Sequence, residues 1–124
     1  MSTNDMDVIN FTIPFLTVLS KNRRSAFKGN KMKNPEHAAA QDLVSYKFKK
    51  ELMLSPEAIK GKCLVQIIAY KPNMRFDCIN LVNPICDALK VCLDFDDNYF
   101  ACNADWAIDK KNPRIEIFFL YNIE

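Results

Sequence analysis

The run Lys62-Cys63-Leu64-Val65-Gln66-Ile67-Ile68-Ala69-Tyr70 (KCLVQIIAY) decides the fold. It is almost continuously apolar and rich in β-branched residues, which predicts a strand at the centre of a sheet. Pro72 stops it from continuing in a ladder, so Lys71 to Asp77 is expected to be a loop. Upstream, Ser55 to Gly61 reads as a turn, and before it Pro35 opens a helix predicted to run to Leu54. Its apolar stripe is Ala40, Val44, Phe48 and Leu52 at i, i+4 spacing, thickened by Leu43, with Lys47, Lys49 and Lys50 on or near the other side. Further upstream, Val8 to Leu19 is rich in β-branched and aromatic residues and reads as a strand. Pro14 interrupts it, which suits an edge or a bulge.

Downstream, a second helix is predicted from Cys78 or Asn80 to Cys92. Pro84 fits only a first turn and moves the start toward Asn83. Its core face is Val82, Ile85, Cys86, Leu89 and Leu93. Asn80, Asn83, Asp87 and Lys90 form a single polar line along the other face. Strands are predicted at Tyr99 to Ile108 and Arg114 to Tyr121, joined by a turn at Asp109 to Pro113. The order β-α-β-α-β-β predicts an α+β fold: a small mixed sheet with two helices packed on one face.

At 124 residues the chain is expected to be one domain, 1–124, with residues 1–7 as a flexible polar tail. Hydrophobic residues make up 49% and glycine only 2 positions, which argues for a packed globule. No apolar run approaches the roughly 18 residues of a membrane helix, and the start does not resemble a signal peptide. The expected location is therefore the cytoplasm, with no membrane partner. The cysteines at 63, 78, 86, 92 and 102 are odd in number and form no CxxC pair, which predicts buried reduced thiols. Gly29 and Gly61 are the only glycines, so a glycine-rich phosphate loop is excluded, and no small-molecule cofactor is expected. His37 is the only histidine, which excludes a His-rich zinc site; it reads as a surface residue.

A net charge of +2 conceals a split. Lys21 to Lys62 carries eleven Lys/Arg against four acids, +7, and Asp77 to Asp109 carries seven Asp against Lys90 alone, −6. Ser20 to Pro35 has no hydrophobic periodicity and reads as a mobile basic loop bearing Lys21, Arg23, Arg24, Lys28, Lys31 and Lys33. One reading joins the two regions: the basic part holds a phosphate backbone, and the acidic part is neutralised by divalent metal. The other is two solvated faces with no shared purpose. Asp77, Asp87, Asp96 and Asp97 suit a Mg²⁺ site, since hard cations take carboxylate oxygens. Equally, Asp77 could cap the second helix and Asp94 to Asn98 could be a turn. Trp106 and Phe118-Phe119 read as core, while Tyr99 and Phe100 are the aromatics expected to meet a nucleotide.

The run Arg75-Phe76-Asp77-x-x-Asn80, then Asp87-Ala88-Leu89, then Asp96-Asp97-Asn98 resembles the RusA-type Holliday junction resolvases, small endonucleases carried mainly by phages and prophages. Ser20-Lys21-Asn22-Arg23 is similar to the family's start, and Asp109 to Ile117 to its closing hairpin. The likeness spans roughly residues 11 to 120. It implies a homodimer that cuts four-way DNA junctions with Mg²⁺ (Mn²⁺ as substitute) in the cytoplasm of a bacterium or phage-infected cell, in DNA recombination and repair. By position, Asp77, Asp87, Asp96 and Asp97 would be catalytic, with Asp77, Asp96 and Asp97 on the metal. Lys21, Asn22, Arg23, Arg24, Lys28, Lys31, Lys33, Arg75, Asn80 and Asn83 would contact the DNA. Two positions depart from the family's D-x-D-N and its following lysine: Ile79 stands for the second Asp and Asn83 for the lysine. The alternative is a RusA-like fold without catalysis that binds junction DNA or a protein partner.

Overall fold

A computed structural model describes residues 7–20, 35–54, 59, 62–93 and 100–123. The elements are β1 (Asp7–Pro14), α1 (Pro35–Met53), β2 (Lys62–Lys71), α2 (Val82–Lys90), β3 (Phe100–Ile108) and β4 (Arg114–Ile123). Two 3₁₀ turns, Thr17–Ser20 and Cys78–Leu81, follow β1 and precede α2. The four strands form one mixed sheet in the order β1-β4-β2-β3, which with the two helices makes an α+β fold.

β2 lies inside the sheet, antiparallel to β4 and parallel to β3. A parallel pair cannot be joined by a tight turn, and α2 supplies the crossover between them. Among the described residues β1 is an edge strand, paired with β4. Pro14 is its last residue, where a missing N–H costs no ladder bond. The chain then turns through Phe15 and Leu16 into the 3₁₀ turn, so the single strand expected from Val8 to Leu19 is corrected to a strand ending at Pro14. Asp7, assigned in expectation to the tail, is the first residue of β1. β2 likewise takes in Lys71, which was expected in the loop.

Alternation shows which face is covered. Ile9, Phe11 and Ile13 of β1, Cys63, Val65, Ile67 and Ala69 of β2, and Ile115, Ile117 and Phe119 of β4 are all buried and share one face. Both helices cover it. Phe48 of α1 meets Phe119 edge-on at 4.9 Å between ring centroids and lies 6.2 Å from Phe11. Of the predicted stripe of α1, Ala40, Val44 and Phe48 are buried and Leu43 and Leu52 are partly buried against the same core; the buried residues of α2 are Ile85, Cys86, Ala88 and Leu89. The helices are also joined through polar atoms. Gln41 Nε2 donates to the Pro84 carbonyl and Ser45 Oγ to the Ala88 carbonyl, both at 2.8 Å.

The cysteines require a correction. Cys86 of α2 and Cys102 of β3 form a disulfide, tying the helix to the edge strand beneath it. Spacing says nothing about which thiols the crossover brings together, so this pair was not readable from the chain. Cys63, Cys78 and Cys92 stay outside the disulfide as thiols, the first two buried and Cys92 half-buried. Among the described residues no helix is long and apolar enough to cross a membrane.

Candidate functional site

The Arg75-Phe76-Asp77 segment is held from two sides. The Phe76 ring packs edge-on against Phe15, 5.1 Å between centroids. The Phe76 carbonyl accepts a hydrogen bond from Lys71 Nζ at 2.6 Å. Lys71 is only 4% exposed, an uncommon depth for an ammonium, and its Nζ also lies 4.4 Å from the centre of the Trp106 ring. A carbonyl oxygen and a π face thus replace part of its lost hydration. The consequence is mechanical: the last residue of the central strand fixes the backbone immediately before Asp77.

Asp77 itself is exposed, with extended backbone (φ −96°, ψ 106°), just ahead of the 3₁₀ turn Cys78–Leu81. Its carbonyl accepts the Asn80 N–H at 3.1 Å. Its carboxylate makes no capping hydrogen bond, so the capping alternative does not account for it. Arg75 is exposed, and its N–H donates to Asn73 Oδ1 at 2.9 Å, closing the turn before it.

Beyond Asp77 the polar line of the helix is real, and it borders a groove of about 250 Å³. Asn80, Asn83 and Asp87 form one wall with Ile79 and Pro84; His37 and Gln41 of α1, with Leu19, form the other. Gln41 is held by its bond to the Pro84 carbonyl, which bridges the walls. The Asp87 carboxylate is 63% exposed and pairs with Lys90 Nζ at 3.6 Å, an exposed contact of little energetic weight. Ile79 is 60% exposed and lines the groove. An apolar side chain therefore stands on the accessible surface where the family resemblance expects a second carboxylate.

Of the predicted site residues, the structure brings Asn80, Asn83 and Asp87 together along this groove; Asp77 and Arg75 sit at the start of the same segment, outside its lining. Asp96 and Asp97 lie outside the described residues, as do Lys21, Asn22, Arg23, Arg24, Lys28, Lys31 and Lys33. Among the described residues no three His, Cys, Asp or Glu side chains converge as a metal site. Trp106, expected in the core, is instead 44% exposed. His37, expected on the open surface, lines the groove. Its signal was present in the chain: His37, Gln41 and Ser45 repeat every four residues beside the apolar stripe of α1, a polar line facing α2.

These thiols are poor nucleophiles here. Burial pushes the Cys63 thiol up to about 11. Burial also raises Cys78 against the opposing field of Lys71, and raises Cys92. None is poised as the thiolate that cysteine catalysis requires. Neither protein-family models nor curated proteins match this chain.

Proposed function

We propose that the chain is a Mg²⁺-dependent endonuclease acting on branched DNA, of the RusA type, working as a homodimer on four-way junctions. The observation that carries this reading is that Asn80 and Asp87, two matching positions of the resemblance, share one wall of a groove with Asn83, and that the backbone just before Asp77 is held by Lys71. Asp77 and Asp87 are exposed hard-oxygen donors of the kind Mg²⁺ takes, and Asp96 and Asp97 would complete the set. When bound, the ion would supply an activated water and charge stabilisation for phosphodiester hydrolysis. The chain's own part is to orient the strand: Asn80 and Asn83 offer amide donors to phosphate or sugar oxygens, and Arg75 offers a guanidinium. Two sites related by a twofold axis would cut two strands symmetrically.

One observation favours a second reading, a junction-binding or protein-binding module without catalysis. Ile79 is exposed in the groove at the place of a carboxylate, which lowers the charge available to hold a metal.

The test is cleavage of a synthetic four-way junction with and without Mg²⁺, with Asp77→Asn as control and sedimentation to read the oligomeric state. Metal-dependent paired nicks that vanish in the variant are the expected result. Tight binding without cutting establishes the second reading. Neither binding nor cutting overturns the nuclease and the junction-binding module alike.

A further inference from the structure

Trp106 is the only tryptophan in the chain. It lies on the edge strand β3, on the face that carries Cys102 and Ala104, and its register partner is Ala69 of β2. That places the indole at the end of the sheet where β2 gives way to the Asp77 segment. Ile108, two residues further along the same side of β3, is 41% exposed and extends the apolar strip. A single exposed apolar residue needs no explanation. Trp106 differs because a buried ammonium is fixed against its ring: Lys71 Nζ at 4.4 Å from the centroid. The same Nζ donates to the Phe76 carbonyl at 2.6 Å, so one ammonium contacts both the ring and the backbone before Asp77.

We propose that the exposed part of Trp106 is a stacking platform for one nucleobase of a nucleic acid engaged at the Asp77 segment; this rests on the nucleic-acid reading above. Stacking on an aromatic side chain tolerates any base, because every base has a π face. The gain is largest where the aromatic is already immobile, since less side-chain freedom is lost on binding. Trp106 meets that condition through its strand and through Lys71. A base splayed from a strand at a branch point would meet this ring while its phosphate lies near Asp77, Asn80 and Asn83.

The experiment uses the full chain with Ca²⁺ in place of Mg²⁺, so that the acidic part is neutralised by a hard divalent cation while cutting does not intervene. Emission of the single tryptophan is followed while three probes are added: a thymidine oligonucleotide, a four-way junction, and an abasic strand of the oligonucleotide's length. Anisotropy of the labelled DNA reports binding in parallel. The expected result is quenching by the two probes with bases and little quenching by the abasic strand. Trp106→Ala should weaken oligonucleotide binding roughly 5- to 150-fold, with Trp106→Phe retaining most of the affinity. DNA binding that leaves the emission unchanged, or equal quenching by the abasic strand, overturns the platform and leaves the nucleic-acid reading standing. No binding of any probe overturns both.

Discussion

Lys71 shows how much one side chain can organise. Its ammonium is buried on a carbonyl and an indole, and the Asp77 segment depends on that carbonyl contact. In Lys71→Met the stem packing is largely kept, while the Phe76 oxygen loses its donor. The acceptor is only part-buried and water can reach it, so urea unfolding should show a loss of about 1 kcal/mol. Amide exchange at Asn80, whose N–H is bonded to the Asp77 carbonyl, should accelerate more than exchange in β4. Uniform acceleration would mean that Lys71 serves the whole sheet and not this turn. A second residue-scale case is the turn that carries the chain from β3 past the end of β2 into β4. The Arg114 Nη1 donating at 2.9 Å to Asp109, followed by the N–H groups of Asn112 and Lys111, holds that carboxyl below its ordinary 3.8. A depressed folded value means the stabilisation is present above the ordinary carboxylate value and fades as pH falls through the lowered one. The group is partly exposed, so the effect on global stability is small and screened. An NMR titration should place the Asp109 midpoint below 3.8, and Arg114→Gln should return it toward that value.

At the scale of elements, the chain was legible where the pattern is local. The i, i+4 stripe of α1 and the apolar run of β2 each state which side is buried, and Pro14 marks an edge because an edge is where its missing N–H is harmless. Pro84 likewise sits in the first turn of α2, the one place a helix tolerates it. What was not legible is long-range. Nothing in the sequence says that β4 inserts between β1 and β2, that Lys71 turns inward beneath Trp106, or that Cys86 meets Cys102. The groove was half legible: its α2 wall was predicted as a polar line, while His37 and Gln41 required knowing that α1 packs against α2. The disulfide gives this scale its own prediction. It closes a sequence separation of 16 residues, and removing such a loop constraint costs about 3 kcal/mol in the chain-entropy account. Cys86→Ser, or a reducing agent, should lower the melting temperature accordingly. Non-reducing peptide mapping should recover the 86–102 link. Among the thiols outside the disulfide, half-buried Cys92 should react with a thiol reagent first and Cys63, raised to about 11 by burial, only on unfolding.

The whole molecule is organised by charge, and there the two open readings of the sequence separate cleanly. Six basic residues fall between Lys21 and Lys33, upstream of an acidic stretch that contains Asp77 and Asp87. If the halves are merely solvated faces, association with DNA is weak and indifferent to where the lysines lie. If the basic segment grips phosphates, each contact releases counterions, and the logarithm of affinity falls with that of salt at about 0.9 per contact on duplex arms. Six contacts per chain, twelve per homodimer, would give a slope near −11, so a twofold rise in salt would weaken junction binding by about a thousandfold. Anisotropy of a labelled junction across a salt series, without divalent metal, measures this directly. Replacing Lys28, Lys31 and Lys33 together with glutamine should flatten the slope by about 5, because three contacts are lost from each protomer. It should also weaken a four-way junction and a plain duplex alike, since phosphate contacts position DNA without reading it. Trp106→Ala should behave in the opposite way, leaving the slope unchanged and weakening only DNA that offers an unpaired base. A flat salt dependence in the unaltered chain would remove nucleic acid as the partner, and with it the reason for reading the acidic stretch as a metal site.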